Sequence, residues 1–460
     1  MDLSKVEKIH FIGVGGIYVS ALALLMRSFG KEVSGCDAKY SEMLSKLEKE
    51  KIDIYRSHDI SHIESLDDGP DLVVYSSAVS LNHLELLKAK ELQIKTMTAY
   101  ELLGEVSKDL FTITVSGTKG KTTTTALIGL ILAEANLEPT VIVGGNVKNF
   151  LHGNLRVGSS NYLVAEACEF NAQMLSLHPN ITILTNIEED HLDYYRDLDH
   201  IIETFKEYVS KLPQDGYLVI NGDEINCHKL GCSSGGAIIT YGIENPSDVM
   251  AKNIKTEAGK QSFELFIDGR KIDDITLQIP GRFNIYNALG AIAAAVQMEV
   301  NFKTIKKTLE EFKGVERRFE KVGERKGVII ISDYAHTPTS VKQVIKAAKQ
   351  FYPGKRIVAV FQPHLHSRTK KLFNDFVKAF ESSDLTIISD IYFVEGRVKK
   401  EDEDVTSEQL VDAIGGETLY GGDLKKTKEL ILENIKKNDV AMLIGAGDIY
   451  KLGGELPLSF

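Results

Sequence analysis

The stretch that most constrains this chain is a strand-like run, Phe111-Thr112-Ile113-Thr114-Val115, that turns through Gly117-Thr118-Lys119-Gly120-Lys121-Thr122-Thr123 into an apolar segment. The spacing predicts a helix beginning near Thr124. A strand that passes through glycines onto a helix N-terminus directs backbone N–H groups at an anion. In such a loop Lys121 is placed to reach the β/γ-phosphates of a nucleotide, and the Thr122 hydroxyl suits Mg²⁺. The longer standard loop has a glycine where this chain has Val115, so the match is to a shortened GxxGK[ST] form. A polar cap made only of threonines is the alternative, but the flanking strand and helix favour phosphate binding.

Length and charge frame this loop. At about 150 residues per domain, 460 residues suggest roughly three domains. Lys plus Arg number 54 and Asp plus Glu 65, a net charge of −11. An acidic chain is poorly suited to wrap nucleic acid or an anionic membrane, so an anionic ligand has to be held locally. Cys36, Cys168, Cys227 and Cys232 show no CxxC pairing, and Lys5, Glu7 and Lys8 interrupt any leader, which predicts a reducing, cytoplasmic setting. The longest apolar helix candidate, near Thr125 to Ala135, is too short to span a bilayer, so no membrane insertion is expected.

Strand-like runs alternate with helical patterns along the whole chain, the α/β signature. We expect three domains: 1–107, Rossmann-like; 108–313, a P-loop-type ATPase with a mostly parallel sheet; and 314–460, again Rossmann-like. The first boundary is placed at the polar run Glu105 to Asp109. The last region begins with GVIIISD and continues with RIVAVF, LTIISD and VAMLIG, and its charge run Lys399 to Asp404 reads as a solvated loop.

A second glycine turn, Gly13-Val14-Gly15-Gly16-Ile17-Tyr18, follows the strand-like KIHFI, and Asp37 comes after the next strand about where a ribose-binding acid belongs. Gly15, Gly16 and Asp37 are therefore candidate ligand contacts. Tyr18 takes the place of the third fingerprint glycine, so either the helix stands off or the ring lines the site. A tight turn without ligand is the bland alternative, and a dinucleotide-dependent oxidoreductase the rival enzyme class. An oxidoreductase, however, has no need of GTKGKT.

In the middle region Glu166 ends the run YLVA, and Glu188-Glu189-Asp190-His191-Leu192-Asp193 follows ITILTN. Both strand ends offer hard ligands near a phosphate loop, with His191 placed for a second Mg²⁺. Asp190 and Asp193 can also be read as helix caps. Asn284 and Asn287, in the Pro280-Gly281-Arg282-Phe283-Asn284 segment and the Ala-rich helix after it, can meet a purine edge or cap that helix. Further on, strand ends deliver Asp333 and His336, then His364, His366 and Arg368, then Asp390, Glu395 and Arg397, then Gly445-Ala446-Gly447-Asp448. Ligands of open parallel sheets bind outside such carboxyl ends. A zinc set of His336, His364 and His366 is the competing reading.

Taken together, the motifs resemble the Mur ligase family, ATP-dependent amide-forming enzymes of peptidoglycan precursor synthesis. The residues that carry this are Gly13-Val-Gly-Gly16, Gly117-Thr-Lys-Gly-Lys-Thr122, Glu166-Ala-Cys-Glu169, Asp190-His191-Leu-Asp193, Gly281-Arg-Phe-Asn284 with Asn287, Arg317-Arg318-Phe319, Asp333-Tyr-Ala-His336, Phe361-Gln-Pro-His364 and Gly445-Ala-Gly-Asp448. The resemblance covers essentially the whole chain.

It implies an N-terminal domain for the UDP part, a central ATPase, and a C-terminal domain that closes over ATP and the amino acid. It also implies that the lactyl carboxylate of UDP-N-acetylmuramate is phosphorylated by ATP and the acyl phosphate is then attacked by L-alanine. Attachment of a ready-made tripeptide, as in cell-wall recycling, is the alternative. On this reading Lys121 serves the β/γ-phosphates, Thr122 and Glu166 hold Mg²⁺, and His191 holds a second Mg²⁺. Asn284 and Asn287 lie on the adenine side, Asp333 contacts ATP, and His336, His364 and Arg368 belong to the closed site. A monomer or weak homodimer is expected. The chain departs from the family pattern at Ile17-Tyr18-Val19, at Lys119 and at Phe283, and Tyr18 is expected beside the nucleotide sugar.

Overall fold

The computed structural model describes the chain except residues 1, 40, 65–68, 192–193, 258, 394–403 and 460. Asp193, Glu395 and Arg397 thus lie outside the described residues. Two compact units emerge. The first comprises 1–252, 265–273 and 286–309, and the second 253–264, 274–285 and 310–460.

The first unit opens with five strands, β1 (Lys8–Ile12), β2 (Glu32–Cys36), β3 (Asp53–Tyr55), β4 (Leu72–Tyr75) and β5 (Lys95–Thr98). They form a wholly parallel sheet in the order β3-β2-β1-β4-β5. Its strand order reverses at β1, and the glycine turn sits at that strand's carboxyl end, where open α/β sheets place their ligands. The strand-like KIHFI is β1, and the strand expected before Asp37 is β2. β3 and β5 are short, polar-leaning edge strands whose composition carries little hydrophobic period.

The chain then supplies β6 (Phe111–Ser116), β7 (Thr140–Ile142), β8 (Leu155–Arg156), β9 (Tyr162–Glu166), β10 (Ile181–Leu184), β11 (Tyr217–Asn221) and β12 (Ala237–Gly242). Running β12-β11-β10-β6-β9-β7-β8, they pair in parallel except at β7-β8. β6, β9 and β10 are central and buried on both faces, which explains their near-continuous apolar sequences. Strands β13 (Val249–Glu257), β14 (Lys260–Ile267) and β15 (Arg270–Leu277) follow along the chain.

The polar run Glu105 to Asp109 begins inside the helix Ala99–Ser107, which ends just before the expected boundary. Thr98 and Glu101 close a reciprocal cap at its start, and Leu102, Leu103 and Val106 are buried. One continuous apolar cluster extends from Leu22, Leu25 and Leu103 to Met174, Leu177 and Phe205, so the first two sheets share a core. Asn154 fastens the same junction by donating to the Ile17 carbonyl and, at 3.0 Å, to the Ser20 hydroxyl.

The second unit contains β16 (Glu320–Arg325), β17 (Val328–Asp333), β18 (Ile357–Phe361), β19 (Leu385–Ser389), β20 (Thr418–Gly422) and β21 (Val440–Ile444). The order is β16-β17-β21-β18-β19-β20, with only β16 antiparallel. Apolar clusters cover both faces of this sheet. Of the charge run 399–404 only Asp404 is described, and it pairs with Lys370 at 2.8 Å. Among the described residues no helix is long and apolar enough to cross a membrane, and the four cysteines are unpaired.

Candidate active site

After β6 the backbone turns at Gly117 (φ +124°) and Gly120 (φ +90°), and the helix Lys121–Glu134 begins at Lys121, one turn earlier than the apolar period suggests. The four threonines that hide this start are themselves buried against the sheet. Only glycine fits at position 120, since its φ is left-handed and an added Cβ would stand 2.5 Å from Asn287 Oδ1.

Lys121 folds along this turn. Its ammonium donates to Gly117 O at 2.5 Å and Thr118 O at 3.2 Å, and lies 2.8 Å from one Glu169 oxygen and 3.1 Å from the other. Burial disfavours the charge on both partners, but their mutual attraction outweighs it. Lys121 is held above its ordinary value, mainly by the Glu169 charge, and Glu169 below its own, by Lys121 and by the His191 bond. The pair is therefore ionised across the physiological range. His191 Nε2 lies 3.5 Å from Glu169, and its backbone, at φ +52°, is in the sparsely populated left-handed region.

On the other side of the loop, Thr122 Oγ1 donates to Glu166 Oε2 at 3.3 Å, and Gly144 N donates to Glu166 Oε1 at 2.5 Å. Thr122 and Glu166 are both buried, and their hard oxygen donors are adjacent at the glycine loop, a donor set that fits Mg²⁺. Thr118 N and Lys119 N donate to Asn186, at 2.9 Å to its carbonyl and 3.0 Å to its side chain, while the Lys119 ammonium pairs with Glu188. Thr123 is buried in the first turn of the helix. Asn287 sits against the loop, accepting from Thr124 Oγ1 at 3.3 Å.

At the other glycine turn Gly15 N donates to Asp37 Oδ2 at 3.0 Å, and Gly16 caps the helix Ile17–Ser28. Tyr18 stacks on Tyr100 with ring centroids 4.4 Å apart, and its hydroxyl donates to the Glu166 carbonyl at 3.2 Å. Its ring thus packs at the end of the strand that delivers Glu166, a neighbour that the fingerprint comparison did not anticipate.

In the second unit the Asn284 side chain donates to Pro280 O at 2.7 Å, back across the start of its helix. Asp333 accepts from Phe319 N and Ala335 N, each at 2.7 Å, and burial raises its pKa. His336 Nδ1 is 2.9 Å from Tyr334 O, His364 stacks on Tyr392, and Arg368 Nη1 is 3.4 Å from His364 Nδ1. The strand ends thus bring His336, His364 and Arg368 into one neighbourhood. Among the described residues, His336, His364 and His366 do not form a group with metal-ligand spacing.

Sequence reasoning gave no role to Glu169, Arg317 or Gln362. A buried lysine needs a counter-charge, and Glu169 three residues beyond Glu166 was the available signal. Arg317 donates to Gly445 O and Gly447 O at 3.0 and 3.1 Å and lies over Tyr450. Gln362 bridges to Asp448 at 2.9 Å. These tie together motifs far apart in sequence, which periodicity does not register.

A parallel α/β sheet with a lysine-bearing glycine loop and an adjoining Thr–Glu oxygen pair defines the class of P-loop proteins that handle nucleoside polyphosphates. Family models match the Mur ligase family, catalytic domain, over 8–110; the Mur ligase middle domain over 115–295; and the Mur ligase, glutamate ligase domain, over 317–447. The UDP-N-acetylmuramate–L-alanine ligase of Caldanaerobacter subterraneus subsp. tengcongensis is 41% identical, covering 98% of each chain, and that of Clostridium kluyveri is 41% identical with the same coverage. The crystal structure of UDP-N-acetylmuramate–alanine ligase from Thermotoga maritima superposes with a TM-score of 0.84 at 27% identity, covering 98% of each chain. This chain belongs to the Mur ligase family.

Proposed function

We propose that this enzyme is an ATP-dependent ligase that joins the lactyl carboxylate of UDP-N-acetylmuramate to L-alanine, releasing ADP and phosphate, as a step of peptidoglycan precursor synthesis. Full-length identity of 41% to ligases of that name carries the reading. The carboxylate takes the terminal phosphoryl group of ATP to give an acyl phosphate. The amine then attacks the acyl carbon, and phosphate leaves.

Such chemistry is mostly positioning and charge neutralisation. Lys121, ionised through its pairing with Glu169, supplies a fixed positive charge to the β/γ-phosphates, and the Gly117-Thr118-Lys119-Gly120 backbone with Thr122 and Thr123 shapes the loop around them. Thr122 and Glu166 would hold Mg²⁺, with His191 placed for a second ion. Bound there, Mg²⁺ would neutralise charge on phosphate oxygens. Gly15, Gly16 and Asp37 serve the UDP-sugar. Asn284, Asn287 and Asp333 serve ATP, and His336, His364 and Arg368 serve the reacting carboxylate and amine. The three-domain division 1–107, 108–313 and 314–460 follows these roles, and the reaction places the enzyme in the cytoplasm.

Phosphate release by the purified protein with ATP, Mg²⁺ and UDP-N-acetylmuramate, with L-alanine, glycine, L-serine or L-Ala-γ-D-Glu-meso-diaminopimelate added separately, tests the reading. We expect release that depends on L-alanine and a product heavier by one alanyl residue. Preference for the tripeptide would replace this function with recycling, and release independent of any amine would remove the ligase assignment.

A further inference from the structure

Within the first sheet lies a polar cluster that the ligase reaction does not use. His10 on β1, Cys36 at the end of β2, His62 on the short helix Ser61–Glu64 and Glu85 on the helix Leu84–Glu91 converge there. His10, Cys36 and Glu85 are at most 1% exposed. One Glu85 oxygen is 3.1 Å from His10 Nε2 and 3.0 Å from Cys36 Sγ, and the other is 3.2 Å from His62 Nδ1. All four ligand atoms lie within 4.8 Å of one another. Ligand atoms around a tetrahedral zinc ion are about 3.3–3.7 Å apart, as bond lengths of about 2.0–2.3 Å require. Small side-chain adjustments would therefore close the set around an ion.

Charge and softness narrow the ion. A thiolate, a carboxylate and two neutral imidazoles sum to −2, which a divalent cation cancels in a place where net charge is costly. Sulfur with imidazole nitrogen suits Zn²⁺, whereas Mg²⁺ prefers the all-oxygen donors at the phosphate loop. The surroundings hold the ligands as outer contacts of metal sites do. Ser34 Oγ is 2.9 Å from His10 Nδ1, Tyr55 stacks on His62 at 4.1 Å, and Asp59 N donates to Glu85 at 3.0 Å. His58 Nδ1 stands 3.3 Å from Cys36 Sγ, and edge-on to it His83 carries a buried Nε2 with no hydrogen-bond partner. Four potential ligand atoms of these types converging in one buried place point to an ion.

We propose that His10, Cys36, His62 and Glu85 form a closed structural Zn²⁺ site in the first sheet, distinct from the phosphate loop. Binding exchanges the Cys36 thiol proton, released to solvent, for a Zn–S bond. The ion would pin the end of β2 next to Asp37.

The test uses the full chain, stripped with a chelator, desalted and titrated with Zn²⁺ or Co²⁺. One equivalent of Zn²⁺ should survive gel filtration and raise Tm. The Co²⁺ form should show thiolate-to-cobalt charge-transfer absorption, which a Mg²⁺ site of oxygen ligands does not produce. Cys36→Ser should lose that absorption and His62→Gln should weaken Zn²⁺ binding at least about tenfold, with circular dichroism checking that each variant is folded. The proposal is overturned if no equivalent is retained. Equally, uptake and spectrum unchanged in folded Cys36→Ser and His62→Gln would reduce the cluster to a polar network.

Discussion

The two glycine turns of the first unit begin alike and end differently. Each leaves the carboxyl end of a central parallel strand and enters an apolar helix, at Gly13 to Gly16 and at Gly117 to Gly120. At the first, a carboxylate, Asp37, takes the Gly15 N–H, and Tyr18 is directed to the Glu166 carbonyl. At the second, a cation, Lys121, lies inside the turn and is balanced by Glu169. Glycine spacing therefore makes a turn that can approach a ligand, while the charged side chain beside it decides which ligand is favoured.

The sharpest way to break this contrast is to remove the cation. Lys121→Ala should lower steady-state phosphate release by about 10²-fold or more, as loss of a preorganised charge at a transferring phosphoryl group does. Retention of more than a tenth of the wild-type rate would exclude the assigned role. Next, Glu166→Gln should raise the Mg²⁺ concentration needed for half-maximal rate by at least about tenfold, read from an Mg²⁺ titration at saturating ATP. An unchanged titration would remove Glu166 from the metal set.

Glu169→Gln probes the balance itself, since it leaves Lys121 buried beside a neutral amide. We expect a loss of about 3 kcal/mol of stability near neutral pH, measured by denaturant unfolding. The pH dependence has a definite sign. The folded pKa of Glu169 lies below 4.5, so its contribution is complete above pH 4.5 and fades as pH falls through the folded value. That of Lys121 lies above 10.5, so its part is complete below pH 10.5 and fades as pH rises past the folded value. The stability gap between wild type and Glu169→Gln should thus be flat between these limits.

The smallest effect belongs to the first turn. Tyr18→Phe removes one partly buried hydrogen bond and keeps the stack on Tyr100, so about 1 kcal/mol is expected by thermal unfolding. Tyr18→Ala also removes the stack. An unchanged KM for UDP-N-acetylmuramate in Tyr18→Ala would assign the ring to the Glu166 strand rather than to the sugar.

Particular residues show where sequence legibility stops. The runs at β9 and β10 coincide with strands because central parallel strands are buried on both faces and read as unbroken apolar segments. β3 and β5 were invisible for the opposite reason, since short edge strands carry no such period. The helix Lys121–Glu134 was placed a turn late because its threonines are polar in composition but buried in place. Likewise, Glu105 reads only as part of a polar run, while the apolar face of its helix joins the shared core.

The sequence by itself determined the α/β class, the lysine-bearing glycine turn and the family, because alternation, glycine turns and short motifs are local patterns written within a few residues. Only the tertiary structure decided that Lys121 is matched by Glu169, that Tyr18 meets the Glu166 strand, and that His10, Cys36, His62 and Glu85 converge. These partners lie tens of residues apart. What joins them is the stacking order of parallel strands and the need of each buried charge for a neighbour, and neither has a period along the chain.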